Sequence, residues 1–305
     1  MTQQSSIREL ASSRLLVVTT ALLFSTGGAA IKFSHLTAWQ ITSYRSGVAA
    51  LLLFLVFPEA RRRLSPRVWL TSFFYAATLI CYVLATRFTT AANAIYLQSA
   101  APVYVVLLSP LVVHERVQRR DYAFIAIIFF GLVLVLYGSD PGSATAPNPL
   151  RGNVLGAAAG VFWALTLLSM RFLSRSGEAA AASYAVPAAG NLLACLAGLA
   201  PALIDGAAPG FADWLVVLYL GVFNVTVAYL CLSRGIRHLT AVEASTILLL
   251  EPALNPVWTW LLSGERPGRL ALVGGIVIMS ATGLRIVLNK QPSRIRRRVN
   301  GADGR

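Results

Sequence analysis

Residues 87–94 read RFTTAANA, residues 237–244 read RHLTAVEA, and the offset of 150 between them continues without a gap through the apolar runs that follow. Cys81 falls on Cys231, Arg87 on Arg237, Thr90 on Thr240, Ala91 on Ala241, Ala94 on Ala244, Pro102 on Pro252, Glu115 on Glu265 and Arg116 on Arg266. HER at 114–116 therefore faces GER at 264–266. A weaker echo, at an offset of 138, joins ALLF at 21–24 to AGVF at 159–162. Small apolar residues agree easily by chance, so the weight of this internal repeat rests on the arginines, the prolines and the Glu-Arg pairs.

Around the repeat, the composition sets the solvent. The chain has 305 residues, 56% of them hydrophobic and 12% charged, about half the charge of an ordinary soluble domain. Lys and Arg nevertheless number 26 against 12 Asp and Glu, a formal net charge of +14. These facts conflict for a globular nucleic-acid binder and agree for a membrane protein whose charges lie in its loops. A bilayer core needs about 17 to 25 apolar residues per helix. Ten such runs are read, at 15–33, 41–57, 68–86, 91–113, 122–137, 154–170, 179–203, 214–232, 241–262 and 270–288. They lack alternation at period two, which favours helices over barrel strands. The first run is longer than a signal-peptide core and the repeat requires it, so it is read as a retained helix.

The expected fold is thus an all-α integral membrane protein with ten transmembrane helices, arranged as two inverted five-helix repeats. Residues 14–138 form the first repeat and 152–289 the second, joined by a linker at 139–151 within GSDPGSATAPNP. Residues 1–13 form an N-terminal segment and 290–305 a basic tail. Five helices per copy is an odd number, so consecutive copies enter the membrane from opposite sides, the layout of many secondary transporters. Twenty of the 26 basic residues fall on one side under this count and five on the other, with Arg45 inside the second helix. Both termini are therefore expected in the cytoplasm. Arg294, Arg296, Arg297 and Arg298 in the tail are read as attracted to anionic lipid rather than nucleic acid.

Ten helices in a five-plus-five inverted repeat, with a Pro-containing fourth helix in each half followed by a Glu-Arg pair, resemble the EamA-type drug/metabolite transporter superfamily over nearly the whole chain. Within it the sequence looks like the bacterial aromatic amino acid exporters. The resemblance implies a multi-pass protein of the bacterial inner membrane that exports amino acids or related metabolites through a cavity between the halves. The alternatives are export of drugs, sugars or nucleotide precursors, or a membrane protein without transport.

Enzyme signatures are missing where they can be checked. Lys32 and Lys290 follow Ile31 and Asn289, so no GK[ST] phosphate loop exists. His114 and Glu115 begin an HExxH pattern that position 118, a Gln, does not complete. Cys81, Cys195 and Cys231 lie in apolar runs and suggest neither disulfide nor metal site. No catalytic residue, cofactor or metal is expected. The expected partners are a small-molecule substrate, the lipid bilayer and protons.

Glu251 is the clearest site candidate, because a charge at mid-helix is costly in lipid and must face protein or water. A carboxylate there can answer a proton or a substrate ammonium group, or serve as a structural hydrogen-bonding group. Asn255 shares its helix face. Thr71, Tyr75, Thr78 and Tyr82 form a polar stripe on the third segment, with Thr78 and Tyr82 nearest the middle. Tyr96, Gln98 and Ser99 join them from the fourth segment and Asn224 from the eighth. Trp163 lies at mid-segment after Gly152, Gly156 and Gly160, where it can stack on a ligand or simply pack. Trp39, Trp69, Trp214, Trp258 and Trp260 read as an interfacial belt. Lys32 and Arg45 are expected to snorkel to the sparsely charged side, with contact to a substrate carboxylate as the alternative. The orientation is checked by fusing reporters to each end: one active only in the cytoplasm should work at both termini, and activity of a periplasm-only reporter at either would reverse this reading.

Overall fold

In the computed structural model, residues 3–112, 119–138, 145–179, 181–204, 208–236, 239 and 241–288 are described. The repeat partners Glu115, Arg116, Arg237 and Thr240, with His114, lie outside them. The described chain is helical: α1 Gln3–Ser25, α2 Gly27–Phe33, α3 Ala38–Val56, α4 Pro66–Phe88, α5 Ala91–Ser99, α6 Ala101–Val112, α7 Arg119–Tyr137, α8 Pro149–Arg175, α9 Val186–Ile204, α10 Phe211–Leu218, α11 Ala228–Gly235, α12 Ala241–Leu248, α13 Leu250–Ser263 and α14 Arg269–Leu288. Wider π-helical turns precede α9 and α11, at Ala181–Ala185 and Tyr219–Val227.

Local chemistry sets the ends. Thr37 and Gln40 cap α3 reciprocally, the Thr37 hydroxyl accepting from Gln40 N at 3.2 Å and Gln40 Oε1 from Thr37 N at 3.0 Å. Ser65, Thr90 and Asn148 cap α4, α5 and α8 in the same sense, and Gly264 closes α13 with φ +64°. Two breaks interrupt membrane-length runs, at Ala100 between α5 and α6 and at Leu249 between α12 and α13. Each is followed within three residues by a proline, Pro102 or Pro252, which lacks the N–H and crowds the carbonyl one turn back.

Eight helical stretches among the described residues are long and apolar enough to cross a membrane. Of the ten expected runs, two differ. The fifth corresponds to α7, whose apolar part, Asp121–Tyr137, is short because charged residues open the helix. The ninth is the broken pair α12 and α13. Arg285, inside the tenth run, donates from Nη2 to Asp121 Oδ1 of α7 at 2.7 Å and lies over the Phe124 ring.

Many small polar side chains are carried inside while large apolar ones face outward. Thr42, Ser43, Ser46, Ser72, Asn191 and Asn255 are fully buried, whereas Leu55, Phe129, Phe130, Leu203 and Ile276 are more than half exposed. That inversion suits a surround of hydrocarbon. The major packing partners come from opposite halves: α4 lies on α8 and α9, α3 on α9, α7 on α14, α5 and α6 on α8, α1 on α11 and α13, and α2 on α13.

Close approach is set by glycine. A Cβ on Gly152 would stand 2.5 Å from Thr89 N, and one on Gly160 2.9 Å from Leu97 O, so α8 presses directly on the start and the broken end of α5. Gly152→Ala and Gly160→Ala should each cost about 1–3 kcal/mol and lower the melting temperature in detergent. Gly210→Ala, at φ −74° with its nearest contact 3.6 Å away, should leave it unchanged.

Candidate functional site

The breaks before Pro102 and Pro252 face a cavity of about 480 Å³. Gln98 and Ser99 reach it from the end of α5, Trp163 and Leu167 from α8, Glu251 and Pro252 from α13, and Thr282 and Arg285 from α14. Four sequence candidates from three separate helices thus line one space: Gln98, Ser99, Trp163 and Glu251. Gln98 Oε1 is buried without a hydrogen-bond partner. Glu251 forms no ion pair among the described residues, and Tyr82 and Tyr229 lie within its electrostatic reach.

Behind the cavity wall runs a chain of rings. Trp163 and Tyr75 lie 6.3 Å apart between centroids, Tyr75 and Tyr229 6.2 Å, and Tyr229 and Phe24 5.8 Å, mostly edge to face. The Tyr75 hydroxyl faces Tyr229 and Asn191. Gly190 makes room for the ring, since a Cβ there would meet Tyr75 Cδ1 at 2.5 Å. Tyr82, one helical face along from Tyr75, accepts from Asn255 Nδ2 at 3.4 Å. Asn255 is itself pressed against Gly28 of α2, where a Cβ would come within 2.6 Å of its Oδ1.

The remaining candidates sit elsewhere. The Thr78 hydroxyl donates back to Phe74 O of its own helix at 2.9 Å. Tyr96 packs among Ile128, Leu132 and Ile278 and over Gly275. Asn224 donates to Leu23 O at 2.6 Å, a carbonyl that also accepts from the Thr26 hydroxyl where α1 breaks before Gly27. Trp69, Trp214 and Trp260 are exposed near helix ends. Trp258 instead turns inward and donates to Ser25 Oγ at 2.9 Å.

Lys32 and Arg45 depart from expectation: neither snorkels. Lys32 Nζ pairs with Glu265 Oε2 at 2.9 Å, with the two side chains only 3% and 2% exposed. Lys32 also donates to Thr89 O and Thr145 O. The second Glu265 oxygen accepts from Ala91 N at 2.7 Å, at the N-terminus of α5, where the helix dipole favours an anion. Snorkelling fails because loops from both halves cover this end of the bundle and offer the ammonium acceptors in place of water. Nearby, Arg87 donates to Ser34 O and Leu36 O, and Asp213 accepts from His35 N at 3.0 Å and Gly210 N at 3.2 Å. The molecule is thus tied shut where Lys32 lies, while the cavity extends to Arg285 and Ile286 in the last turn of α14, at the other end. Arg45 is 3% exposed on α3.

Sequence reasoning missed Tyr229, Asn191 and the Lys32–Glu265 pair. Tyr229 and Asn191 were visible as polar residues inside apolar runs. The pair was half signalled by the Glu-Arg element of the repeat.

A family model described as the EamA-like transporter family matches twice, over residues 12–137 and 150–286. The pseudopaline exporter CntI of Pseudomonas aeruginosa is 26% identical over 279 residues, covering 89% of this chain and 95% of that protein. An uncharacterized transporter of Bacillus subtilis, YdfC, is 24% identical over 76% of this chain and 75% of its own. A solved crystal structure, 18% identical, superposes with a TM-score of 0.61 over 92% of this chain and 99% of that one, a likeness of fold alone.

Breaking a buried ion pair from one side strands a charge and typically costs about 3–5 kcal/mol. Glu265→Gln should therefore lower the melting temperature more than the double replacement Lys32→Met with Glu265→Leu, as read by thermal unfolding of the purified protein.

Proposed function

Because the chain belongs to the EamA-like transporter family, we propose that it is a secondary transporter exporting small amphiphilic metabolites, chiefly aromatic or other apolar amino acids, by alternating access. In this reading ten helices form two inverted repeats, 14–138 and 152–289, with the linker at 139–151 between them. Three features support the inversion. The family model matches each half separately. The helix breaks at Ala100 and Leu249 fall in corresponding places. The packing pairs also exchange when the halves do: α4 on α8 corresponds to α11 on α1, α5 on α8 to α12 on α1, and α6 on α8 to α13 on α1, while α3 on α9 and α7 on α14 map onto themselves.

The observation that carries the function is the convergence of Gln98, Trp163 and Glu251 on one cavity from both halves. Its volume lies within the ~300–1,000 Å³ of small-molecule sites. Trp163 supplies an apolar wall, Gln98 and Ser99 polar contacts, and Glu251 an ammonium or proton contact. Tyr82 and Asn255 form the second layer behind it, while Thr78, Tyr96 and Asn224 hold the helices that present these groups. With both termini in the cytoplasm of the bacterial inner membrane, the cavity faces inward and the Lys32–Glu265 pair closes the outside, the posture of an exporter awaiting its solute. Glu251 is the coupling group if protons drive transport. The relative named as a pseudopaline exporter favours a second reading, in which the cargo is a metabolite like pseudopaline.

The test is flux of radiolabelled amino acids in liposomes carrying the purified protein. At least one aromatic or apolar amino acid is expected to move, with Trp163→Ala lowering its flux about tenfold, the size of one aromatic contact. Glu251→Gln should flatten the pH response of that flux. A broad panel of which none moves, while pseudopaline does, selects the second reading; an unaltered pH response removes Glu251 from coupling.

A further inference from the structure

Arg45 is the buried cation that the site as described does not use. It stands seven residues, about 10 Å, into α3. Its Nε and Nη2 have no hydrogen-bond partner and it makes no ion pair among the described residues. Other arginines show how the chain satisfies such groups: Arg61 donates to Phe54 O and Leu55 O, Arg87 to Ser34 O and Leu36 O, and Arg285 to Asp121. A buried guanidinium with two nitrogens lacking acceptors opposes folding and calls for an anion that the chain itself does not provide.

Its surroundings point to where that anion comes from. Tyr75 lies within electrostatic reach of Arg45 and also packs near Trp163, on the cavity wall, with ring centroids 6.3 Å apart. Tyr82 lies within electrostatic reach of both Arg45 and Glu251. Two tyrosines from one face of α4 therefore connect the cavity lining to the cation. Arg45 and Glu251 do not pair with each other, yet they share Tyr82 as a neighbour. One buried positive and one buried negative group near a single aromatic cluster match the two charges of a zwitterion with an apolar side chain.

Resting on the transport reading, we propose that Arg45 receives the carboxylate of the transported solute as Tyr75 and Tyr82 move aside, so that the chain selects substrates bearing a carboxylate. The planar fork of a guanidinium suits such a group, accepting it through two parallel hydrogen bonds. Glu251 holds the ammonium end and Trp163 the side chain.

The full-length protein in liposomes tests this with L-tryptophan, L-phenylalanine and L-leucine beside their amides, which keep the ammonium group and side chain and lack the carboxylate. The wild type should move the acids at least about tenfold faster than the amides. Arg45→Gln, checked for folding by thermal unfolding, should lose most of that preference, and Arg45→Lys, a charge without the fork, should keep part of it. Equal flux of acid and amide in the wild type overturns the assignment and needs no variant, as does an undiminished preference in Arg45→Gln; either result leaves the exporter reading standing. A wild type that moves none of the six probes overturns the amino acid reading and this inference with it.

Discussion

Hydrocarbon offers no hydrogen bonds, so each polar group carried into the bilayer must find its partner inside the protein. That constraint orders the whole structure. Threonine hydroxyls turn back on their own helices, as Thr71, Thr78 and Thr86 do. Asn224 donates to Leu23 O where α1 breaks, and Lys32 and Glu265 satisfy one another and the N-terminus of α5. Among the buried polar atoms still without a hydrogen-bond partner are Gln98 Oε1, Asn255 Oδ1, Asn191 Oδ1 and two nitrogens of Arg45. Of these residues, Gln98 lines the cavity between the halves.

The ends of that region are unequal. At one, the buried Lys32–Glu265 pair and the N-terminus of α5 join the two halves, beside two arginine-to-carbonyl bonds within the first. At the other, the cavity meets Arg285, whose partner Asp121 is on α7, the helix against which α14 packs. A transporter that alternates must exchange these conditions, and the elements best suited to move are those already interrupted: α1 at Thr26, α5 at Ala100 and α12 at Leu249. Prolines follow the last two of these breaks, and glycines on α8 let a neighbouring helix close over one of them.

Much of the fold was legible because hydrocarbon imposes a strong compositional signal: apolar runs, paired prolines and glycine spacing all survive in the linear chain. The convergence of Gln98, Trp163 and Glu251 followed from one physical cue, the cost of polar or irregular groups at mid-helix. What escaped depended on neighbours. Whether a lysine snorkels is decided by whether loops cover it, and no local pattern around Lys32 records that Glu265 and Thr145 lie above it. Tyr96 and Asn224 looked like cavity residues because polarity at depth reveals only that a group faces inward; whether it meets a glycine, a broken helix or a ligand is a matter of tertiary packing.

The central claim is that the halves rock about one shared site. It is tested most directly by measuring distances with spin labels at His35 and Arg266, both exposed at the closed end, in a background with Cys81, Cys195 and Cys231 replaced. Double electron–electron resonance with and without a transported amino acid should reveal a short and a long population whose ratio shifts with the solute, while a label pair at the opposite end shifts in the reverse sense. A single distance that ignores solute, or two ends that open together, would contradict alternating access.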